Sequence, residues 1–486
     1  MTPVPVRAEL VIGPAMIAAD GRAAETAVIN PANQETIGYA PVAGAELVDA
    51  AVREAAAAFP AWSARPAAQR AGHLTAIAGW IRSNGPRLAR LLTLEQGKTL
   101  SEAASEVETA AKAFDYYAAE AVRVHGQIIP TESATLRSLV IHQPFGVVAA
   151  ITTWNYPLGL MAWKIAPALA AGCTVVAKPA EETPLTVLDV IRGAAGTGLP
   201  AGVLNSLHGD GAAGSLLAGH RDIAKISFTG GTQTGRHLLE LAARDIKSVT
   251  LELGGHSPMI VAADAPMDLA VADGVKRSFR NAGQLCNSVN RIFVVRSAAA
   301  EFVDRFAAQA AKLVVGPGLG DPEPDLGPLS NARTIDRVER HVADARQRGA
   351  EVLVGGGRPQ DAQLRDGFYY LPTVVLGGED LVMLRQETFG PVAPILVVDD
   401  LEEAVARANA LDFGLVCYVY TRDLRISVEC AERLEFGTVN VNNVGGGDVG
   451  FPYAGWKHSG LGVELAQQGL AEYLRTKNVR IEIGYS

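Results

Sequence analysis

Between positions 147 and 243, short β-branched runs (147–152, 174–177, 203–206 and 224–228) alternate with segments of helical periodicity (158–171, 184–196, 211–218 and 233–243). Few folds accept that rhythm. A parallel strand needs a crossover before the next, so repeated βαβ units build a parallel sheet with helices on its faces. A second alternating set begins near Met259 and runs to about Val441, with strands expected at 291–295, 395–398, 416–420 and 438–441. A chain of 486 residues exceeds what one hydrophobic core serves, so two α/β lobes are expected. From 43 to about 124 the pattern is helical, and packing alone accounts for it. The runs 123–143 and 477–483 alternate like strands but lie outside both lobes. Strands without a sheet of their own pair with each other and present an edge to another subunit.

Composition removes several classes of function. Hydrophobic residues at 48% and charged residues at 20% suit a large buried core and exclude a disordered chain. Forty-three Lys and Arg against 52 Asp and Glu leave a net charge of −9 without a basic cluster, so no nucleic-acid partner is expected. The four cysteines, at 173, 286, 417 and 430, form no CxxC pair and no ligand spacing with the nine histidines. No metal site is expected, and a reducing, cytoplasmic location is. Pro3 and Pro5 stand where a signal peptide has its basic region, and the most apolar stretch, 147–177, is interrupted by Trp154-Asn155-Tyr156-Pro157, Lys164 and Pro167. Neither secretion nor a membrane span is expected.

Two glycine-rich loops compete for a phosphate. Gly209, Gly211 and Gly214 form a literal GxGxxG between a strand and a helix, but 50 glycines make that spacing common, and Asp210 sets a carboxylate where a pyrophosphate would lie. The segment Phe228-Thr229-Gly230-Gly231-Thr232-Gln233-Thr234-Gly235 also joins a strand to a helix and holds no acid. Such a helix start attracts anions, although a tight turn would also require glycine. Lys178 and Glu181, in Lys178-Pro179-Ala180-Glu181, follow a strand at the sheet edge where doubly wound folds bind ligands. A glutamate there accepts from a ribose diol and repels a 2′-phosphate, favouring NAD over NADP; a solvated ion pair is the alternative.

Three residues carry candidate chemistry. Cys286 lies in a polar, glycine-containing break, Asn281 to Ser288, between a helix and a strand, whereas Cys173, Cys417 and Cys430 sit in apolar or helical sequence. Glu252 stands among leucines before Gly254-Gly255, where burial raises a carboxyl pKa toward that of a general base, or where backbone N–H groups satisfy a structural acid. Asn155, between Trp154 and Tyr156, suits an oxyanion donor or a helix cap.

Taken together, TTWNYP (152–157), KPAE (178–181), FTGGTQTG (228–235), ELGGHSP (252–258), GQLC (283–286), ETFGP (387–391) and GWKHSGLG (455–462) resemble the NAD(P)-dependent aldehyde dehydrogenase superfamily, of non-acylating type. The motifs stand in family order and span most of the chain. The resemblance implies a Rossmann-like NAD-binding domain (1–122 and 144–250), a catalytic domain (251–443), oligomerisation strands (123–143 and 470–486) and a linking, active-site segment (444–469). It makes Cys286 the nucleophile, Glu252 the general base, and Asn155 with the Cys286 N–H the oxyanion hole. Lys164 and Glu464 match positions of oxyanion-side support and proton relay. For the cofactor it implies Thr153, Trp154, Lys178, Glu181, Gly230, Gly231, Glu387 and Phe389, with NAD expected and NADP also possible, and it implies a homodimer or homotetramer. Two departures stand out: Gly231 where many members have Ser or Thr, and Val463 in place of an Arg before Glu464.

By the same resemblance, Cys286 adds to an aldehyde, hydride passes to nicotinamide, and water activated by Glu252 releases the acid. A coenzyme A-acylating enzyme usually dispenses with the base, so Glu252 argues against that variant; a cysteine-dependent esterase is the alternative from another class. Tyr156 and Trp163 match aromatic positions of aminoaldehyde and betaine-aldehyde dehydrogenases. Arg280 instead resembles the carboxylate-binding arginine of succinic semialdehyde dehydrogenases, whose second arginine corresponds to Trp163. A guanidinium in the tunnel repels a cation, so a neutral, aromatic or ω-carboxylated aldehyde is expected over an aminoaldehyde.

Overall fold

The computed structural model describes residues 5–19, 24–378, 380–445 and 447–484; Pro3 and the last two positions of the predicted tail lie outside them. The first lobe is a six-stranded sheet in the order Leu204–Ser206, Thr174–Lys178, Val147–Ile151, Ile223–Thr229, Ser248–Glu252, Gly460–Leu461. The first five strands are parallel and the last antiparallel. Every residue of Val147–Ile151 and of Thr174–Lys178 is buried. Burial on both faces explains why these strands read as continuous apolar runs rather than alternating ones.

The chain leaves Val147–Ile151 toward one sheet edge, then returns at Ile223–Thr229 to that strand's other side. The order therefore reverses there, opening a crevice at the carboxyl ends of the strands. Asn155, Lys178, Gly230 and Glu252 each end one of these strands or follow it closely.

The second lobe is a seven-stranded sheet, Glu351–Val354, Thr373–Leu376, Val392–Val398, Val289–Val295, Ser257–Val261, Val416–Tyr420, Thr438–Val441, with only its first pair antiparallel. Both lobes are thus the expected parallel α/β constructions. Outside them, Gln127–Ile129, Leu136–Pro144 and Leu474–Glu482 form a three-stranded antiparallel flap, in which Leu474 faces Pro144 and Glu482 faces Leu136. The two unassigned runs do pair with each other.

The helical start is four helices, Ala45–Ser63, Ala67–Ser83, Gly85–Gln96 and Leu100–Ala121. Packing does not account for all of it: Ser105, Glu106 and Thr109 of the last helix line a cavity described below, concealed in the sequence by the alanines around them. Five short strands before Ala45 were not legible either. The strand Glu9–Ile12 and the turn after it are tied to the first lobe by Val11 N–H to Ser206 Oγ (2.8 Å) and Gly13 N–H to Asn205 Oδ1 (2.8 Å). Among the described residues, no helix is long and apolar enough to cross a membrane.

Candidate active site

Two cavities meet at the crevice. One, of about 370 Å³, is lined by Cys286, Asn155, Tyr156, Trp163 and Arg280; the other, of about 690 Å³, by Lys178, Glu181, Asp210, Gln233 and Arg333. Thr153, Trp154, Thr229, Gly230, Gly231 and Arg337 belong to both walls.

The two glycine loops differ in what occupies their helix starts. Asp210 caps the helix Gly211–Gly219, its Oδ1 accepting from Ala212 N–H (2.9 Å) and Ala213 N–H (3.4 Å). Gly231 begins the helix Thr232–Arg244 and offers no side chain to its first-turn N–H groups. That second start faces both cavities with its donors uncapped, the arrangement that receives an anion. A Cβ at Gly231 would meet nothing within 4 Å, so the missing Ser or Thr leaves open space. Lys178 is buried at its strand end, with Nζ donating to Pro179 O (3.2 Å), and burial lowers its pKa. It is not part of a solvated ion pair. Glu181 is half-exposed and lies 3.6 Å from Arg333, a cation sequence reasoning missed.

Cys286 follows a turn of unusual backbone. Asn281 (φ 48°), Ala282 (φ 53°) and Gly283 (φ 74°) are all left-handed, a conformation non-glycine residues adopt only when the surroundings impose it. The imposing contacts are visible: Glu102 accepts from Asn281 N–H (2.8 Å), Asn281 Nδ2 donates to Asn155 O (3.2 Å), and Gln284 Nε2 donates to Asn281 O (2.9 Å). Asn155 Nδ2 donates to Gln284 O (3.0 Å), which fastens its amide to the loop carrying Cys286 and leaves its second amide hydrogen uncommitted. Lys98, a buried residue the sequence did not single out, donates to Asn155 O (2.8 Å) and to Glu106 (2.6 Å). Burial pushes the Cys286 thiol up to about 12, with Glu387 and Glu252 adding to the rise and the Tyr453 hydroxyl and Arg277 opposing it.

Glu252, Lys164 and Glu464 do not line either cavity; they form a buried group next to the first. Lys164 Nζ donates to Thr229 Oγ1 (2.7 Å) and is paired with the Glu464 carboxylate. Among the described residues neither oxygen of Glu252 has a well-formed hydrogen bond. Burial, and then the Glu464 charge, hold Glu252 well above the usual carboxylate range; Lys164 and the nearby Gly455 N–H only temper the rise. Glu387, on the cavity wall, is pushed up to about 8 by burial, and its Oε1 has no partner among the described residues. Phe389 (φ 53°) stands edge-on to Trp154, with centroids 5.4 Å apart.

At the far side of the wall, Lys98 Nζ sits 3.6 Å from the centroid of the Tyr156 ring, so the protein's own ammonium covers one face of it. Trp163 packs at 6.2 Å from Tyr453. Arg280 lies 3.8 Å from Glu102. A second guanidinium, Arg277, lines the same cavity; it is buried, donates to Asn287 Oδ1 (3.3 Å) and Val444 O, and keeps an unpartnered Nε. Sequence reasoning missed Arg277 because a helical Arg three positions from another reads as a solvated face.

The Aldehyde dehydrogenase family pattern matches residues 17–479. The chain is 41% identical over 452 residues to an NADP(+) succinate-semialdehyde dehydrogenase of Escherichia coli, covering 93% of each chain. It is 40% identical over 458 residues to a glutarate-semialdehyde dehydrogenase of Pseudomonas putida, covering 94% of each. A crystal structure of betaine aldehyde dehydrogenase from Staphylococcus aureus in complex with NAD+ superposes with a TM-score of 0.96 at 33% identity, covering 100% of this chain and 97% of that one. A match over nearly the whole length, to relatives of that identity and to a fold that close, places this chain in the aldehyde dehydrogenase family.

Proposed function

We propose that the protein oxidises an aldehyde bearing an ω-carboxylate to the corresponding acid, using NAD or NADP. The observation that carries the reading is the wall of the 370 Å³ cavity, where Cys286 and Asn155 stand with three guanidiniums, Arg277, Arg280 and Arg337, against two acids, Glu106 and Glu387. Glu106 is paired with Lys98 and burial raises Glu387 to about 8, so the three guanidiniums dominate the pocket, favour an anionic tail and repel an ammonium. The semialdehydes named for the two relatives carry a carboxylate, which supports the same choice. The aminoaldehyde alternative loses on charge.

The larger cavity fits a dinucleotide. Uncapped N–H groups at Gly231 and Thr232 would suit its pyrophosphate and Lys178 and Glu181 its adenosine ribose, while Glu387 and Phe389, on the wall of the smaller cavity, with Trp154 on both walls, would receive the nicotinamide ribose and ring. Glu181 opposes a 2′-phosphate and Arg333 beside it attracts one, so NAD is preferred without NADP being excluded. A bound nicotinamide supplies the hydride acceptor.

The chain's own residues do the rest. Cys286 Sγ adds to the carbonyl carbon, and the Asn155 amide with the Cys286 N–H holds the alkoxide of the thiohemiacetal, each donor contributing about 3 to 4 kcal/mol. Glu252 takes a proton from the water that hydrolyses the Cys286 thioester. Among the described residues its carboxylate has no well-formed hydrogen bond to break in turning toward that water. Burial raises its proton affinity most, Glu464 adds to the rise and Lys164 opposes it.

Initial rates of NADH and NADPH formation across aliphatic, aromatic, ω-carboxy and ω-amino aldehydes test the proposal. The ω-carboxy class is expected to have the highest kcat/KM, and Cys286→Ala to form no reduced nucleotide. A preference for ω-amino aldehydes would overturn the substrate reading. Ester hydrolysis with no reduced nucleotide from any aldehyde would favour the esterase instead.

A further inference from the structure

The sulfur of Cys286 has one hydrogen-bonding neighbour among the described residues, the hydroxyl of Tyr453 at 3.4 Å. Tyr453 is 5% exposed, and its hydroxyl has no other partner among those residues. The backbone is pinned as well: Tyr453 N–H donates to Glu464 O and Glu464 N–H to Tyr453 O, each at 2.8 Å. Its ring packs against Trp163. The phenol is therefore held against the thiol from three sides.

We propose that Tyr453 is a catalytic residue whose phenol O–H donates to Cys286 Sγ in its thiolate form and so sets how readily that thiol ionises. The inference rests on Cys286 being the nucleophile. A thiol is a weak acceptor and a thiolate a strong one, and a hydrogen bond to an ionised partner is about twice as strong as a neutral one. The contact thus favours the ionised form.

The charges around the sulfur make such a donor necessary. Glu252, from the strand Ser248–Glu252, and Glu387, from the loop before Phe389, both disfavour a thiolate; Arg277, from the helix Met267–Phe279, favours one. Tyr418 is also close, but its hydroxyl donates to Asn287 O (2.7 Å). Burial and the Cys286 and Glu252 charges hold the Tyr453 phenol well above its usual range, so it keeps its own proton. The S–H proton passes instead to solvent in the cavity that Cys286 lines, and the sulfur lone pair forms the C–S bond. Once that bond exists the sulfur is neutral and the hydrogen bond weakens. A phenylalanine at 453 would fill the same space with no donor.

The test is the pH dependence of iodoacetamide alkylation of the full-length protein, with the modified peptide identified by mass spectrometry. In Tyr453→Phe the alkylation rate at about pH 7.5 is expected to fall about tenfold and its midpoint to rise by about one pH unit. Should that variant misfold, 3-fluorotyrosine at 453, nearly isosteric and a stronger donor, is expected to lower the midpoint. An unmoved midpoint, with Cys286 alkylation still abolishing dehydrogenase activity, overturns the role of Tyr453 alone. Full activity after complete Cys286 alkylation overturns the nucleophile reading beneath it.

Discussion

Glu252 is a buried acid whose oxygens have no well-formed hydrogen bond among the described residues, with the Gly455 N–H only nearby, a costly arrangement for a purely structural residue. Its raised pKa means that it is protonated in the resting protein at pH values where an ordinary glutamate is ionised. A base must lose that proton, so steady-state turnover should rise with pH through a midpoint above the usual carboxylate range. Glu252→Gln should remove that limb and lower kcat by about 10²- to 10⁴-fold, while a stopped-flow burst of NADH near one per active site persists. Glu464→Gln removes the negative charge that raises Glu252 and should move the limb to lower pH. A Glu252→Gln variant with full turnover, or with the limb unchanged, would sink the base assignment. The sequence made Glu252, Asn155 and Cys286 legible because each sits in a short motif next to a strand end. Arg277 and Tyr453 were not legible, since their meaning lies in what faces them across the cavity and neither has a local pattern to mark it.

Helices here are positioned by acids reaching in from other elements. The helix Leu185–Ala195 follows Pro184 and has no side-chain cap of its own. Glu95, from the helix Gly85–Gln96, supplies one, accepting from Leu185 N–H (2.7 Å) and Thr186 N–H (2.9 Å). Glu106 does the same for Leu158 N–H (2.9 Å) and Gly159 N–H (3.0 Å) in the helix that carries Lys164. These acids were read in the sequence as ordinary residues of amphipathic helices, because a cap that comes from another helix leaves no local signature. Glu95→Ala strands two buried donors, at about 1 to 3 kcal/mol each, and should lower Tm by several degrees. Burial pushes Glu95 up to about 7. The folded protein therefore binds this proton more tightly than the unfolded chain, and the stability it contributes is fully present below about pH 4.5 and lost as pH rises through about 7. Thermal melts between pH 5 and 8 should show wild type losing ground to Glu95→Gln as pH increases. A constant difference would show that Glu95 keeps one protonation state across that range.

The whole molecule places its proposed reacting groups by bringing strand ends of one sheet against a loop of the other. The first sheet presents Asn155, Gly230 and Glu252; the second lobe delivers Cys286 and Glu387 across the crevice. The alternating rhythm of the sequence predicted both sheets, because a two-sided parallel sheet writes itself as apolar runs separated by helices. The flap was legible as strands without a sheet, and its docking was not: Phe145 N–H donates to Tyr473 O (3.2 Å), and Tyr473 Oη donates to Ser227 Oγ (3.0 Å) in the first lobe. Those contacts tie the base of the flap to the first lobe and leave Ile128 75% and Ile481 44% exposed, apolar side chains on strands whose outer edge is unpaired among the described residues. Exposed apolar strands of this kind are normally covered. A second copy of the chain is the proposed cover, giving a dimer or tetramer. Size-exclusion chromatography with light scattering should therefore find an oligomer at micromolar concentration, and Ile128→Glu with Ile481→Glu should shift it to monomer. Because the flap lies outside both cavities, that monomer should still bind NAD. A wild-type protein that elutes as a monomer would remove the assembly proposal and leave the site chemistry untouched.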